Sequence, residues 1–309
     1  FRSDLTNNPI RYQGIAAIAF TLIKTQQTLN TFALNTAYAK NIDDDCVSTL
    51  SLGLTRLENL KQLSLEFIGA SVSNKGLKML NDAILVLEHL DALKIVLGEN
   101  PNLSNLGIKN LTQDLSKMSS LRNLNLLFDS LDIEDGALSS ISQELQHLKC
   151  LKELRLSFFG ILEFTDSGLA DIIFSIKELT NLTTLALYFN CASFDEFGLH
   201  NWPSSVSKLT QLQELEICFL SAPNFLDECV RLLVEGFKGL MNLEKLVFVL
   251  GSCHHISNRS LAIIKEAFGN NPYMKEFILN VRRCPRISEE AIEKLAEELS
   301  FIESVKIIS

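Results

Sequence analysis

The chain has 309 residues, 47% of them hydrophobic, with 28 basic against 37 acidic side chains and a formal net charge of −9. That balance argues against nucleic acid or an anionic membrane as the main partner, since both need a basic face. Seven cysteines, an odd number scattered as singles, argue against a secreted disulfide framework and for a reducing, intracellular and cytoplasmic setting.

The first element along the chain is the apolar stretch Gly14 to Ile23. It is short, lacks a basic leader and aligns with helices found further on, so it reads as part of a repeat and not as a signal peptide. No run of 18 or more apolar residues exists, and no membrane insertion is expected. From Leu29 a strand pattern, L-x-x-L-x-L, begins to recur. Clear copies start at Leu60, Leu90, Leu121, Leu151, Leu182, Leu212 and Leu243, and weaker ones at Leu29, Met274 and Ile302. The steps between them are 31, 30, 31, 30, 31, 30, 31, 31 and 28 residues. Self-similarity this regular indicates a solenoid. A solenoid grows without splitting, so a single domain over residues 1–309 is expected.

After each strand comes a helical half. Ile42-Asp43, Val72-Ser73, Phe164-Thr165, Ile256-Ser257 and Ile287-Ser288 each place a capping oxygen before an apolar-periodic run. Acids crowd the first turn (Asp44, Asp45, Asp135, Asp166, Glu196, Glu228, Glu289, Glu290), where the helix dipole favours negative charge. One turn inside stands a small residue: Gly14, Cys46, Gly76, Gly107, Ala137, Gly168, Gly198, Cys229, Ser260 or Ala291. It lets the helix approach its neighbour closely. Leu77, Leu80, Ile84 and Leu87 share one face at helical spacing. Each repeat is therefore a strand, a loop, a capped helix and a return. The expected architecture is α/β: an open horseshoe of about ten repeats of about 31 residues, parallel strands on the concave side and helices on the convex side.

A strand-exit position also recurs, read as Ala39, Gly69, Asn100, Ser130, Ile161, Cys191, Ala222, Cys253 and Cys284. The chain begins at Phe1, the array starts mid-repeat, and it closes on a strand at Val305 to Ile308 without a polar capping repeat. The expectation is a fragment or the ordered part of a longer chain, or ends covered by a partner or further repeats.

Taken together, these residues resemble the leucine-rich repeat superfamily, in its ribonuclease-inhibitor-like branch, over about residues 10–309. Cys253-x-x-Ile256-Ser257 and Cys284-x-x-Ile287-Ser288 are similar to the cysteine-containing subtype of F-box receptor proteins. Most repeats look more like the long arrays of ciliate protozoa. Phe67, Phe128, Phe158, Phe189 and Phe219 stand where a polar residue more often leaves the strand. The resemblance implies Asn or Cys bonding to the backbone at the strand exit, and a protein that binds proteins rather than doing chemistry. It also implies an assembly subunit, in a cytoskeletal or organellar complex.

Strand side chains alternate, so residues between the leucines face the concave side. One column reads Ala33, Ser64, Lys94, Asn125, Arg155, Ala186, Glu216, Val247, Ile278 and Lys306; the next reads Asn35, Glu66, Val96, Leu127, Ser157, Tyr188, Cys218, Val249, Asn280 and Ile308. Arg155, Tyr188 and Glu216 form a charged-aromatic group of the kind found in binding hot spots. Val247, Val249 and Ile278 form an apolar patch on a face that should be wet. These six are the candidate partner-binding residues.

Candidates for chemistry are weak. Cys253, His254, His255 and Cys284 could be imagined around a metal, but both cysteines fall at the strand exit, where packing is the expected role. Asp43 to Asp45 fall at a helix start. His89, His147 and His200 lack a nucleophile and acid in register, and no glycine-rich phosphate loop follows a strand. Lys61, Arg122 and Lys152 recur near strand starts, but Asp91 and Glu244 share their column. No catalytic residue, metal or cofactor is therefore expected. The expected function is a non-catalytic protein-interaction scaffold or adaptor. The alternative is the substrate-recognition arm of a multidomain enzyme, a ubiquitin-ligase receptor or kinase-linked array.

Overall fold

The structure, a computed structural model, describes residues 1–190, 193–268 and 273–309. The chain divides into two compact units, Phe1–Leu156 and Ser157–Ser309. In the first unit strands β1 (Arg2–Asp4), β2 (Thr31–Asn35), β3 (Gln62–Ile68), β4 (Ala92–Gly98) and β5 (Asn123–Asp129) alternate with helices α1 (Tyr12–Lys24), α2 (Asp44–Leu54), α3 (Asn74–Ile84), α4 (Asn105–Thr112) and α5 (Asp135–Leu145). Strand β6 (Glu153–Phe158) carries the division. The second unit holds α6 (Asp166–Ile176), β7 (Thr184–Asn190), α7 (Glu196–Leu199), α8 (Trp202–Val206), β8 (Glu214–Leu220), α9 (Asp227–Phe237), β9 (Lys245–Val249), α10 (Asn258–Phe268), β10 (Glu276–Asn280), α11 (Glu289–Glu298) and β11 (Ser304–Ile308).

Within each unit consecutive strands pair in parallel and in sequence order. The register sets leucine on leucine: Leu63, Leu93 and Leu124 align, as do Leu215, Leu246 and Phe277. All six are at most 2% exposed. Each such side chain contributes about 1.5–3 kcal/mol by leaving water. No single repeat could bury them alone; the neighbouring repeat closes over them. This strand-and-helix unit is the leucine-rich repeat, and the fold is an α/β leucine-rich repeat solenoid.

Capping follows the sequence closely. Asp43, Ser73, Thr165 and Ser288 accept backbone N–H bonds at the starts of α2, α3, α6 and α11. The Ser257 hydroxyl accepts from the Arg259 amide ahead of α10. Leu87 is buried as expected, but it lies beyond the end of α3, in the turn leading to β4. The repeat after β7 breaks its helix in two, because Pro203 at the first turn of α8 has no N–H and cannot continue α7. Trp202 is fully buried there, and its indole N–H donates to the Leu233 carbonyl at 3.1 Å.

Two expectations are corrected. The five phenylalanines do not mark a polar strand exit. The strands run on, and Phe67, Phe128, Phe158, Phe189 and Phe219 occupy a third inward position, each at most 2% exposed. The strand-exit column also mixed two positions. Ala39, Asn100, Ile161, Ala222, Cys253 and Cys284 are buried, and the residues matching them are Ala70 and Leu131. Gly69 and Ser130 instead belong one residue earlier, with Tyr38, Glu99, Gly160, Ser221, Ser252 and Arg283, all at positive φ between 50° and 73°. Alternating 30- and 31-residue steps let a small residue pass for the buried slot, when it marks the left-handed turn. Cys191 lies outside the described residues.

Candidate functional site

The sheet face turned away from the helices carries the residues that the repeat does not dictate. In the second unit the register builds three rows across β7 to β11. Tyr188, Cys218, Val249, Asn280 and Ile308 align in one; Ala186, Glu216, Val247, Ile278 and Lys306 in the next; Thr184, Glu214, Lys245, Glu276 and Ser304 in the third. The Tyr188 hydroxyl donates to the Glu216 carboxylate. Val247, Val249, Ile278 and Ile308 are only half-buried, so four branched aliphatic side chains meet solvent on neighbouring strands. Lys245 pairs with Glu276 at 2.9 Å beside them. That hydrogen bond holds the Lys245 ammonium above its usual range, with Glu214 and Glu216 adding to it. Cys218 is buried within the first row, between Tyr188 and Val249, and burial pushes its thiol up to about 12.

Tyr188, Glu216, Val247, Val249 and Ile278 therefore share one contiguous face. Arg155 lies half-buried on β6, in the first unit. On that unit's strand face Ala33, Ser64, Lys94 and Asn125 align, with Asn35, Glu66, Val96 and Leu127 two residues further on. Lys94 bridges Glu66 at 2.6 Å, and this face mixes polar side chains with the aliphatic Val96 and Leu127. The basic stripe near the strand starts is paired in part, Arg122 with Asp91 at 3.7 Å and Lys275 with Glu244 at 2.7 Å.

Cys253 and Cys284 link their strand exits to backbone carbonyls. The Cys253 thiol donates to the Phe219 carbonyl at 3.1 Å and the Cys284 thiol to the Leu250 carbonyl at 3.2 Å. Asn100 does the same with its amide, to Phe67 at 2.6 Å. Each ties its own strand exit to the repeat before it. His254 and His255 are exposed, and no group of three or more metal-ligating side chains occurs among the described residues. No helix among them is long and apolar enough to cross a membrane.

One structural device lay unread in the sequence. The residue after the helix cap reaches across to the next repeat. Asp44 accepts from the Ser73 amide and hydroxyl, Asn74 from the Ser104 amide, Asn105 from the Glu134 amide, Asp166 from the Asp195 amide, Asp227 from Ser257 and Asn258 from the Ser288 amide. The small residue one turn inside the next helix makes room for it. A Cβ on Gly76, Gly107 or Gly198 would collide with the Asp44, Asn74 or Asp166 side chain. Asp44, Asp166 and Asp227 thus serve as inter-repeat links as well as dipole partners. Their alternation with Asn was the available signal, since the dipole alone would not choose Asn.

No protein-family model and no curated protein matches the sequence. Among solved structures, the chain is similar to one in the mouse RP105/MD-1 complex, with 19% identity and a TM-score of 0.46, covering 90% of this chain. It spans only 38% of that chain's length. A leucine-rich repeat protein of Leptospira interrogans is similar at 16% identity and a TM-score of 0.37, over 92% of this chain and 79% of its own. The fold assignment rests on the repeat geometry described above.

Proposed function

We propose that this protein is a non-catalytic binding scaffold or adaptor that holds a protein partner on the strand face of its second unit. One observation carries the reading: Val247, Val249, Ile278 and Ile308 lie half-exposed on consecutive strands, framed by Tyr188, Glu216, Lys245 and Glu276. The repeat does not dictate aliphatic side chains there, because the same rows carry Asn35, Ser64, Glu66, Lys94 and Asn125 on β2 to β5, beside Val96 and Leu127. A dry centre with a charged rim is the arrangement protein interfaces use. Tyr188 supplies a residue type in which binding energy concentrates.

Cross-linking mass spectrometry on the protein captured from its source is the direct test. A stable set of partners linked to β7 to β11 supports the scaffold reading. Val247→Asp with Ile278→Asp should reduce capture of those partners at least about tenfold, and Tyr188→Ala should weaken it further. Full capture by the double variant and by Tyr188→Ala would remove the strand face as the site. Only exchanging, sub-stoichiometric partners would instead favour a substrate-recognition arm.

A further inference from the structure

The last two strand exits carry a cationic cluster in an otherwise acidic chain. Arg282, Arg283 and Arg286 follow β10; His254 and His255 follow β9; all five are exposed. The backbone holds the two loops side by side. The Ser252 amide donates to the Arg282 carbonyl at 2.7 Å, and Ser257 forms a parallel bridge with Arg286. The cations of both loops therefore share one edge. Among the described residues none of the three arginines is engaged in an ion pair. Other strand exits carry Glu99, Asp129, Asp132 or Glu163 instead, so the repeat does not ask for basic residues here. Arg283 itself occupies the left-handed position that Gly69, Ser221 and Ser252 fill elsewhere.

Against these loops lies a recess that His254, Arg283 and Glu289 line together with the apolar Pro285, Ile287 and Ile292 and with Ser309. An acidic ligand would therefore place its carboxylates on the loop side and an apolar side chain in the recess.

We infer that this edge docks an acidic peptide segment of a protein partner, independently of the strand face. Charge complementarity selects the sign. Three unpaired guanidinium groups match carboxylates bidentately. The apolar wall selects a peptide over a polyphosphate, which has nothing to bury there. Among the described residues the cluster also offers no aromatic platform on which bases could stack.

The probe is a fluorescein-labelled decapeptide of Glu and Asp with one central Leu, followed by anisotropy. The intact chain should bind it, and binding should weaken as salt rises, because the loops are exposed. Arg282→Glu, Arg283→Glu and Arg286→Glu together should lower affinity at least about tenfold, while the lysine triple, which keeps the charge but loses the bidentate fork, should fall between that variant and the parent. Circular dichroism and thermal melting of each triple check the fold, and Arg282→Glu alone gives a milder variant with a smaller loss. Tyr188→Ala should bind the peptide as the parent does, which separates this edge from the strand face. No binding by the intact chain overturns the inference, as does equal binding by the glutamate triple. Tighter binding of a single-stranded oligonucleotide than of the peptide overturns it too.

Discussion

Asp166 and Asp227 hold the same place in their repeats, yet their carboxyls are displaced in opposite directions. Burial and the Asp195 carboxylate raise Asp166, although the Asp195 and Gly198 amides work against them. Burial also acts on Asp227, but hydrogen bonds from Ser260 and Ser257 and the nearby Arg259 charge outweigh it and lower that carboxyl. The signs follow by linkage. A raised carboxyl weakens the fold once pH climbs above the unfolded value, so the Asp166 penalty is absent in acid and present at neutral pH. A lowered carboxyl stabilises above the unfolded value, and that contribution disappears as pH falls through the folded value. Asn already fills this place at Asn74, Asn105 and Asn258. Asp166→Asn should therefore raise the urea midpoint at pH 7, with the gain shrinking toward pH 3; Asp227→Asn should lower it. Equal shifts for the two variants would show that local donors do not decide the matter. Gly76 tests the same link from the other side. In an isolated helix Gly→Ala gains about 1 kcal/mol, but here the new methyl displaces Asp44 from its Ser73 bonds. Gly76→Ala should cost about 1–2 kcal/mol net. At the left-handed position Ser252, with φ of 59°, the reverse holds: Ser252→Gly should add about 0.5–1 kcal/mol.

At the scale of the element, the phenylalanines form the clearest packing unit. Phe158 and Phe189 stack at 5.4 Å, Phe189 and Phe219 at 5.8 Å, and Phe164 and Phe194 meet the row edge-on at 5.3 and 5.2 Å. Phe189 touches both neighbours in the row, and its strand links them. Removing it leaves a void that the stacked rings on either side cannot fill, so Phe189→Ala should cost about 3–5 kcal/mol. Phe197, 75% exposed on α7, should change stability by no more than about 0.5 kcal/mol when replaced by Ala. Urea unfolding of the two variants distinguishes an inward ladder from a surface stripe. The ladder also shows where reading by periodicity stopped short. L-x-x-L-x-L identified two inward positions correctly and stopped one position early, because aromatic residues broke the leucine pattern while keeping its alternation.

Across the whole molecule, the repeats and the strand columns were legible because each position recurs about ten times and alternation fixes its face. Ala33 with Ser64 and Lys94, and Glu216 with Val247 and Ile278, fall in register as their spacing required. What stayed hidden was chemistry between repeats, such as the Asp and Asn links and the cationic edge at Arg282 to Arg286. These join residues about 30 apart, and neither follows from the leucine period. The cysteines show both levels at once. Cys46, Cys218, Cys229, Cys253 and Cys284 are buried, and Cys150 is exposed. Burial pushes the Cys218, Cys229 and Cys253 thiols up to about 12, and raises Cys46 and Cys284 as well. Cys253 and Cys284 are covered only while the preceding repeat stays docked, since their thiols bond to its carbonyls. In a Cys191→Ser background, a thiol reagent at pH 8 should titrate Cys150 rapidly, and denaturant should release the remaining thiols. A second fast thiol at Cys253 or Cys284 in the native chain would mean that the strand exits are not packed as structural links. The raised thiols cost the fold nothing below the unfolded value of 9.0, and their penalty grows as pH rises from there toward 12. Labelling of the buried set should therefore accelerate above pH 9 by more than the greater thiolate fraction alone explains, as the repeats separate.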